Sequence, residues 1–124
     1  METESLNNIY DIRVLMKRNI ILTQPLWKTL SAVIQLKEAT AEDVSRITGR
    51  PRTVESKYLS ELNRIGLVAR RRVSRRVYYI EAITAVKKAL EELGSNVSVE
   101  RLAHYINLPA DIVKIVLDSL TKTE

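Results

Sequence analysis

The sequence predicts a mainly α-helical fold carrying one small β-hairpin, and three observations lead there. Apolar residues recur at helical spacing in successive windows. Those windows open on polar caps or a proline and close on a glycine or a short polar break. Between the third window and the next, two short β-prone runs flank a polar turn. The 124 residues allow one domain, or two small ones sharing a core. A hydrophobic share of 45% against 28% charged suits a globular chain rather than a disordered one, and the absence of Phe makes its core aliphatic.

The N-terminal segment, residues 1–22, reads two ways. Ile9, Ile12, Val14, Leu15 and Met16 suit a short helix, whereas Ile20-Ile21-Leu22 suits a strand or a buried turn. Thr23-Gln24-Pro25 places a polar cap ahead of a proline in a first helical turn. Leu26, Trp27, Leu30, Val33, Ile34 and Leu36 then keep helical spacing to about Lys37. Trp27, among Leu26, Leu30 and Ile34, is expected in the core rather than as a platform for stacking bases. Thr40 opens a second helix, with Asp43 three positions on in a variant of the capping box and Val44 and Ile47 as its buried face. Thr48-Gly49-Arg50-Pro51 breaks it. A third helix runs from about Pro51 to Ile65, where Gly66 is a natural left-handed cap. Arg70–Val73 and Val77–Ile80 flank a turn near Ser74-Arg75, and a fourth helix spans about Glu81 to Leu93 and stops at Gly94.

A short helix, a tight turn and a longer polar-faced helix form the helix-turn-helix arrangement that docks in the DNA major groove, and the hairpin after it adds a wing. The predicted architecture is a winged helix-turn-helix over residues 23–80, followed over 81–124 by a C-terminal helical extension. Thr40-Ala41-Glu42-Asp43-Val44, the run from Thr53 to Leu62, and Ile65-Gly66-Leu67-Val68 leading into an Arg-rich hairpin carry a family resemblance. Over about residues 24–80 the chain resembles the winged helix-turn-helix regulators of bacteria and archaea, the broad group around the MarR-like and ArsR-like repressors. The resemblance implies a DNA-binding transcriptional regulator. The Cys and His residues with which many ArsR-like proteins sense metals have no counterparts here, so metal sensing is not implied.

Charge is distributed as that reading requires. Twenty Lys and Arg against fifteen Asp and Glu give +5 and a pI near 9.6. Between Arg50 and Tyr79 lie nine bases and two acids, so this stretch is +7 and the rest of the chain is −2. The whole positive excess sits in one segment, as polyanion binding demands. Eight of the nine bases are Arg, whose planar fork suits phosphates and guanine edges.

On a helical wheel Val54, Tyr58, Leu59, Leu62 and Ile65 share one arc of the third helix, and Thr53, Ser56, Lys57, Ser60 and Arg64 cluster opposite. A slim face of hydroxyls flanked by cations fits a major groove, and Arg50 and Arg52 lie at the helix start, where recognition helices meet bases. The alternative is an ordinary solvated face. Glu55 falls on the apolar arc with no reason the sequence supplies. The wing concentrates Arg70, Arg71, Arg72, Arg75 and Arg76, whose mutual repulsion favours phosphate or minor-groove contact. In an extended strand Arg70 and Arg72 share a face and Arg71 points away. The alternative here is a solvated hairpin partly paired with Glu81, Glu91 and Glu92. One of Tyr78 and Tyr79 is expected in the core, and the remaining acids on solvent-facing positions.

A shift of 58 positions aligns Thr40 with Ser98, Val44 with Leu102, Pro51 with Pro109, Val54 with Ile112, and Leu59 and Leu62 with Leu117 and Leu120. Residues 98–120 are thus patterned as a second helix-turn-helix. The pattern repeats without its charge: Leu108, Ala110 and Ile115 replace Arg50, Arg52 and Lys57. Ile112, Val113, Ile115, Val116, Leu117 and Leu120 cover more of the last helix than one stripe needs, which points to a homodimer built mainly by the helices after Glu81. His104, the only histidine, reads as a surface or interface residue.

The absence of Cys removes disulfides, zinc fingers and thiol catalysis. Three glycines, Gly49, Gly66 and Gly94, build no phosphate loop or nucleophile elbow. No catalysis, cofactor or metal is expected, and no small-molecule effector pocket is identifiable. No apolar run approaches the roughly 18 residues of a membrane span, and the acidic start is not a signal peptide. The expected setting is the cytoplasm, on the nucleoid, with double-stranded DNA as partner and no membrane. The competing classes are a winged-helix module for protein assembly or unspecific nucleic-acid binding, and an RNA-binding winged helix.

Overall fold

The computed structural model describes residues 22–122, so the expectation of a helix or strand within residues 1–21 lies outside the described residues. The elements run α1 (Gln24–Leu36), β1 (Glu38–Ala39), α2 (Ala41–Thr48), α3 (Arg52–Ile65), β2 (Val68–Val73), β3 (Arg76–Glu81), α4 (Ala82–Leu93), α5 (Val99–Ile106) and α6 (Ala110–Lys122). Local chemistry sets most of these boundaries. Thr40 and Asp43 form a complete capping box at α2: each side chain accepts a hydrogen bond from the other residue's backbone N–H at 3.1 Å. Ser98 caps α5 by accepting from the Arg101 N–H at 3.1 Å. Gly66 ends α3 with φ of +93°.

Three antiparallel strands form a sheet in the order β1-β3-β2. In the hairpin Arg70 pairs with Tyr79 and Arg72 with Val77, and β1 sets Ala39 against Tyr79. β1 was not foreseen: two residues carry no alternation to read. Because side chains alternate across a strand, the sheet divides its residues between two cores. Val68 and Tyr79 join Leu30, Val33, Val44, Leu59 and Leu62 on one face. Ala69 and Ile80 join Val86, Leu102, Ile112 and Val113 on the other. The winged unit, α1 to β3, and the three helices after it therefore share the sheet between them.

Those three helices repeat the first three. Helices begin at 24, 41 and 52 in the first unit and at 82, 99 and 110 in the second, each pair 58 residues apart. The repeat seen in residues 98–120 thus reaches back to include α1 and α4. Gly49 and Asn107, also 58 apart, both end their helices in the left-handed region, at φ of 78° and 57°.

Three expectations need correction. Trp27 is 39% exposed, because α1 buries the stripe Leu26, Thr29, Leu30 and Val33 and Trp27 lies one residue, about 100°, outside it. Glu81 is buried at 5% exposure; its carboxylate accepts from the N–H groups of Ile83 and Thr84 and caps α4. The apolar width of α6 is absorbed largely within the chain: Ile112, Val113 and Val116 are buried, and Leu117 and Leu120 pack against the same core. Tyr79 is buried, so one tyrosine of the pair lies in the core as expected, Tyr78 is half-buried rather than free on the wing surface, and His104 is exposed. Among the described residues no helix is long and apolar enough to cross a membrane.

Candidate nucleic-acid interface

α3 presents the predicted polar face. Arg52, Thr53, Lys57, Ser60 and Arg64 are exposed and Ser56 is half-buried. The other side of the helix is fixed by Leu59 and Leu62, both without exposed surface. Pro51, at φ of −58°, directs the chain into the helix.

Glu55 explains how α3 is held. Its side chain has 0% exposure, yet it is fully partnered. Thr29 Oγ1 of α1 donates to it at 2.6 Å, Thr48 Oγ1 of α2 at 2.5 Å, and Arg50 through Nε at 2.6 Å and Nη2 at 3.1 Å. One carboxylate thus ties three helices together. Burial by itself pushes the Glu55 carboxyl up. The hydrogen bonds from Arg50, Thr29 and Thr48, with the Arg50 charge, outweigh that and hold it below the usual glutamate value. Arg50 is correspondingly turned inward. Its side chain is 21% exposed, its Nη2 also donates to Thr29 Oγ1 at 2.6 Å, and its guanidinium lies 4.9 Å from the centre of the Tyr58 ring.

Between α3 and the wing runs an open groove of about 450 Å³. Arg52, Ser56 and Ser60 line one wall, Arg70, Arg75 and Arg76 the other, with Val77 and Tyr79 between them. The first turn of α2 and Arg46 close one end. Among the described residues Arg52, Arg70, Arg75 and Arg76 form no ion pair, and the two acids at the end of the groove, Glu42 and Asp43, are engaged by Arg46, so the lining keeps a positive excess. Arg46 differs: it pairs with Glu42 at 2.9 Å and Asp43 at 3.5 Å. Sequence reading passed over Arg46, although its spacing from those two acids, i,i+4 and i,i+3, signals a helical charge pair.

The remaining predicted residues stand apart from the groove walls. Arg71 projects to the opposite face of β2 and pairs with Glu92 of α4 at 3.6 Å. Arg72 shares the strand face of Arg70, and its Nε donates to the Ser74 carbonyl at 3.4 Å. Arg64 pairs with Glu61 one turn earlier on exposed surface. Thr53 and Lys57 lie on the outer side of α3.

Residues 22–84, half of the chain, match the family model described as sugar-specific transcriptional regulator TrmB. An uncharacterized protein of Archaeoglobus fulgidus is 44% identical over 59 residues, which cover 48% of this chain and 80% of that protein. Among solved structures, reduced HlyU from Vibrio cholerae is similar at a TM-score of 0.44 and 20% identity, over 77% of this chain and 98% of that one. A homodimeric winged helix-turn-helix DNA-binding domain of a possible ArsR-family transcriptional regulator from Mycobacterium bovis gives the same TM-score, 0.44, at 21% identity over 77% and 89%.

Proposed function

The chain belongs to the TrmB family of sugar-specific transcriptional regulators, and from that membership we propose that it binds double-stranded DNA sequence-specifically, with α3 in the major groove. The observation that carries the reading is the shared groove, where four arginines that form no ion pair among the described residues line the walls with two serines. A groove of that charge condenses anions, and each phosphate it neutralises releases counterion. Arg52 and Ser56 stand near the start of α3 and read base edges, with Thr53, Lys57 and Ser60 beside them. Arg70, Arg75 and Arg76 meet phosphates or the minor groove, and Arg72 extends that contact past the turn. Arg50 acts through Glu55 as a support for α3, while Arg64 and Arg71 contribute less because acids already partner them.

Residues 23–80 form the DNA-binding unit and 81–124 a packing and dimerising unit, with residues 1–22 as a separate N-terminal segment. The regulator acts as a homodimer on an inverted repeat with half-sites about one helical turn apart. Ile115 supports this assembly: it is half-buried and belongs to neither core. The family is one of regulators rather than enzymes, and DNA as partner sets the protein on the nucleoid.

Selection of bound fragments from genomic DNA, followed by electrophoretic shift assays on the selected duplexes, tests the proposal. One enriched palindrome bound far more tightly than scrambled duplexes supports it. Equal affinity for all duplexes replaces it with an assembly or nucleoid module of unspecific binding, and preference for RNA with a third class.

A further inference from the structure

The second helix-turn-helix supplies no lining residue to the groove, yet it reaches the strand that does. β2 is an edge strand, so carbonyls on its outer side lack ladder partners. Two of them are met by asparagine side chains. Nδ2 of Asn63, on α3, donates to the Val68 carbonyl and to the Asn107 carbonyl, each at 2.9 Å. Nδ2 of Asn107, in the turn of the second unit, donates to the Arg70 carbonyl at 2.9 Å. The chain from α3 through Asn107 to the wing is therefore continuous.

Asn107 is the counterpart of Gly49 in the first unit, and both adopt left-handed backbone. Glycine takes that conformation at no steric cost, and asparagine tolerates it better than most residues. Where the first unit has no side chain, the second has an amide, and that amide is committed to the backbone of a groove arginine. Arg71, next in the strand, is held from the same side by Glu92 of α4. Ile112 of α6 sits where a Cβ on Gly66 would fall, 2.6 Å from its Cγ1, which seats the second unit against the end of α3.

We propose that Asn107 is a positioning residue for the nucleic-acid interface, and that the second helix-turn-helix buttresses the wing rather than reading DNA itself. The Asn107 amide fixes the Arg70 backbone, which aims the Arg70 guanidinium across the groove at Arg52 and the α3 serines. The consequence for binding rests on the DNA-binding reading above; the strut itself does not.

Asn107→Gly keeps the left-handed backbone and deletes only the amide. Asn107→Asp keeps the side-chain length and sets an acceptor against the Arg70 carbonyl. Amide hydrogen exchange, measured without DNA, speeds up over residues 70–76 in both variants while α1 and α2 keep wild-type rates. On a selected duplex, Asn107→Gly loses about threefold to tenfold in affinity. Its slope of log affinity against log salt falls by about 0.9, the share of one phosphate, as it does in Arg70→Ala. The double variant loses no more than Arg70→Ala alone. Wild-type exchange in the wing of Asn107→Gly, or additive losses in the double variant, overturns the proposal. Failure of the wild-type chain to bind any duplex overturns the DNA-binding reading instead, and the exchange rates then decide the strut alone.

Discussion

Glu55 lies on the apolar arc of α3, and its environment turns an apparent misfit into the joint of the helix-turn-helix. A buried carboxylate is costly unless its charge and lone pairs are met, and here Arg50, Thr29 and Thr48 meet them. Glu55→Ala takes the carboxylate from the Arg50 guanidinium and the buried Thr29 hydroxyl and leaves them, apart from the bond between them, only the longer contacts to the Pro25 carbonyl, at 3.3–3.4 Å. The expected loss is about 2–3 kcal/mol in urea unfolding, below the figure for a fully buried pair because Arg50 keeps some solvent. The pH dependence has a definite sign. A carboxyl held below its unfolded value contributes stability in full above that value and loses it as pH falls through the folded one. The Glu55 contribution is therefore level from neutral pH down to about 5 and is lost progressively below that, and Glu55→Gln removes this part of the acid sensitivity. Glu61 is held low as well, by its hydrogen bond from Arg64, but the pair is exposed and adds little. Two glycines make a second comparison. Gly49→Ala meets nothing within 4 Å, so it costs only the left-handed backbone, about 1–2 kcal/mol. Gly66→Ala meets Ile112 as well and costs at least about 1 kcal/mol more, as thermal or urea unfolding will show.

The helices were largely legible because their ends are written in local chemistry. Thr40 with Asp43, Ser98, Gly66 and the proline of the first turn each set a boundary through a backbone group that only a nearby side chain or a left-handed residue satisfies. What local chemistry does not contain stayed hidden. β1 exists because β3 offers it a partner, not because Glu38 and Ala39 prefer a strand. Trp27 belongs by composition to the apolar set of α1, but the position of that helix on α3 and the sheet decides which stripe is covered. Arg50 and Arg52 look alike in sequence, and only the burial of Glu55 separates the support from the exposed cation. In the wing, strand alternation correctly divided Arg71 from Arg70, and a measurable difference follows. Arg75→Ala weakens duplex binding about threefold to tenfold and lowers the salt slope by about 0.9. Arg71→Ala, on the far face with Glu92, changes affinity less than about twofold, the scale of an exposed ion pair. Salt titrations of binding by fluorescence anisotropy compare the two directly.

Across the molecule, a three-stranded sheet carries a helical unit on each face, and the two units descend along the chain with the same 58-residue spacing. The packing pattern recurs in both units, whereas the positions of Arg50, Arg52 and Lys57 in the first are taken by Leu108, Ala110 and Ile115 in the second, which fits the proposed division between reading and support. The resemblance to winged helix-turn-helix regulators holds and narrows to the TrmB family. Dimerisation is tested by sedimentation: the account predicts a two-chain species at micromolar concentration and a shift toward one chain in Ile115→Asp. Everything else depends on the serine face of α3 and the wing arginines Arg70, Arg75 and Arg76 acting as one surface. Amide chemical-shift mapping of the chain titrated with a selected duplex tests that most directly. The account predicts that residues 52–60 shift together with Arg70, Arg75 and Arg76, while α4 and α6 stay unperturbed; shifts that leave α3 silent, or that centre on residues 82–122, contradict it.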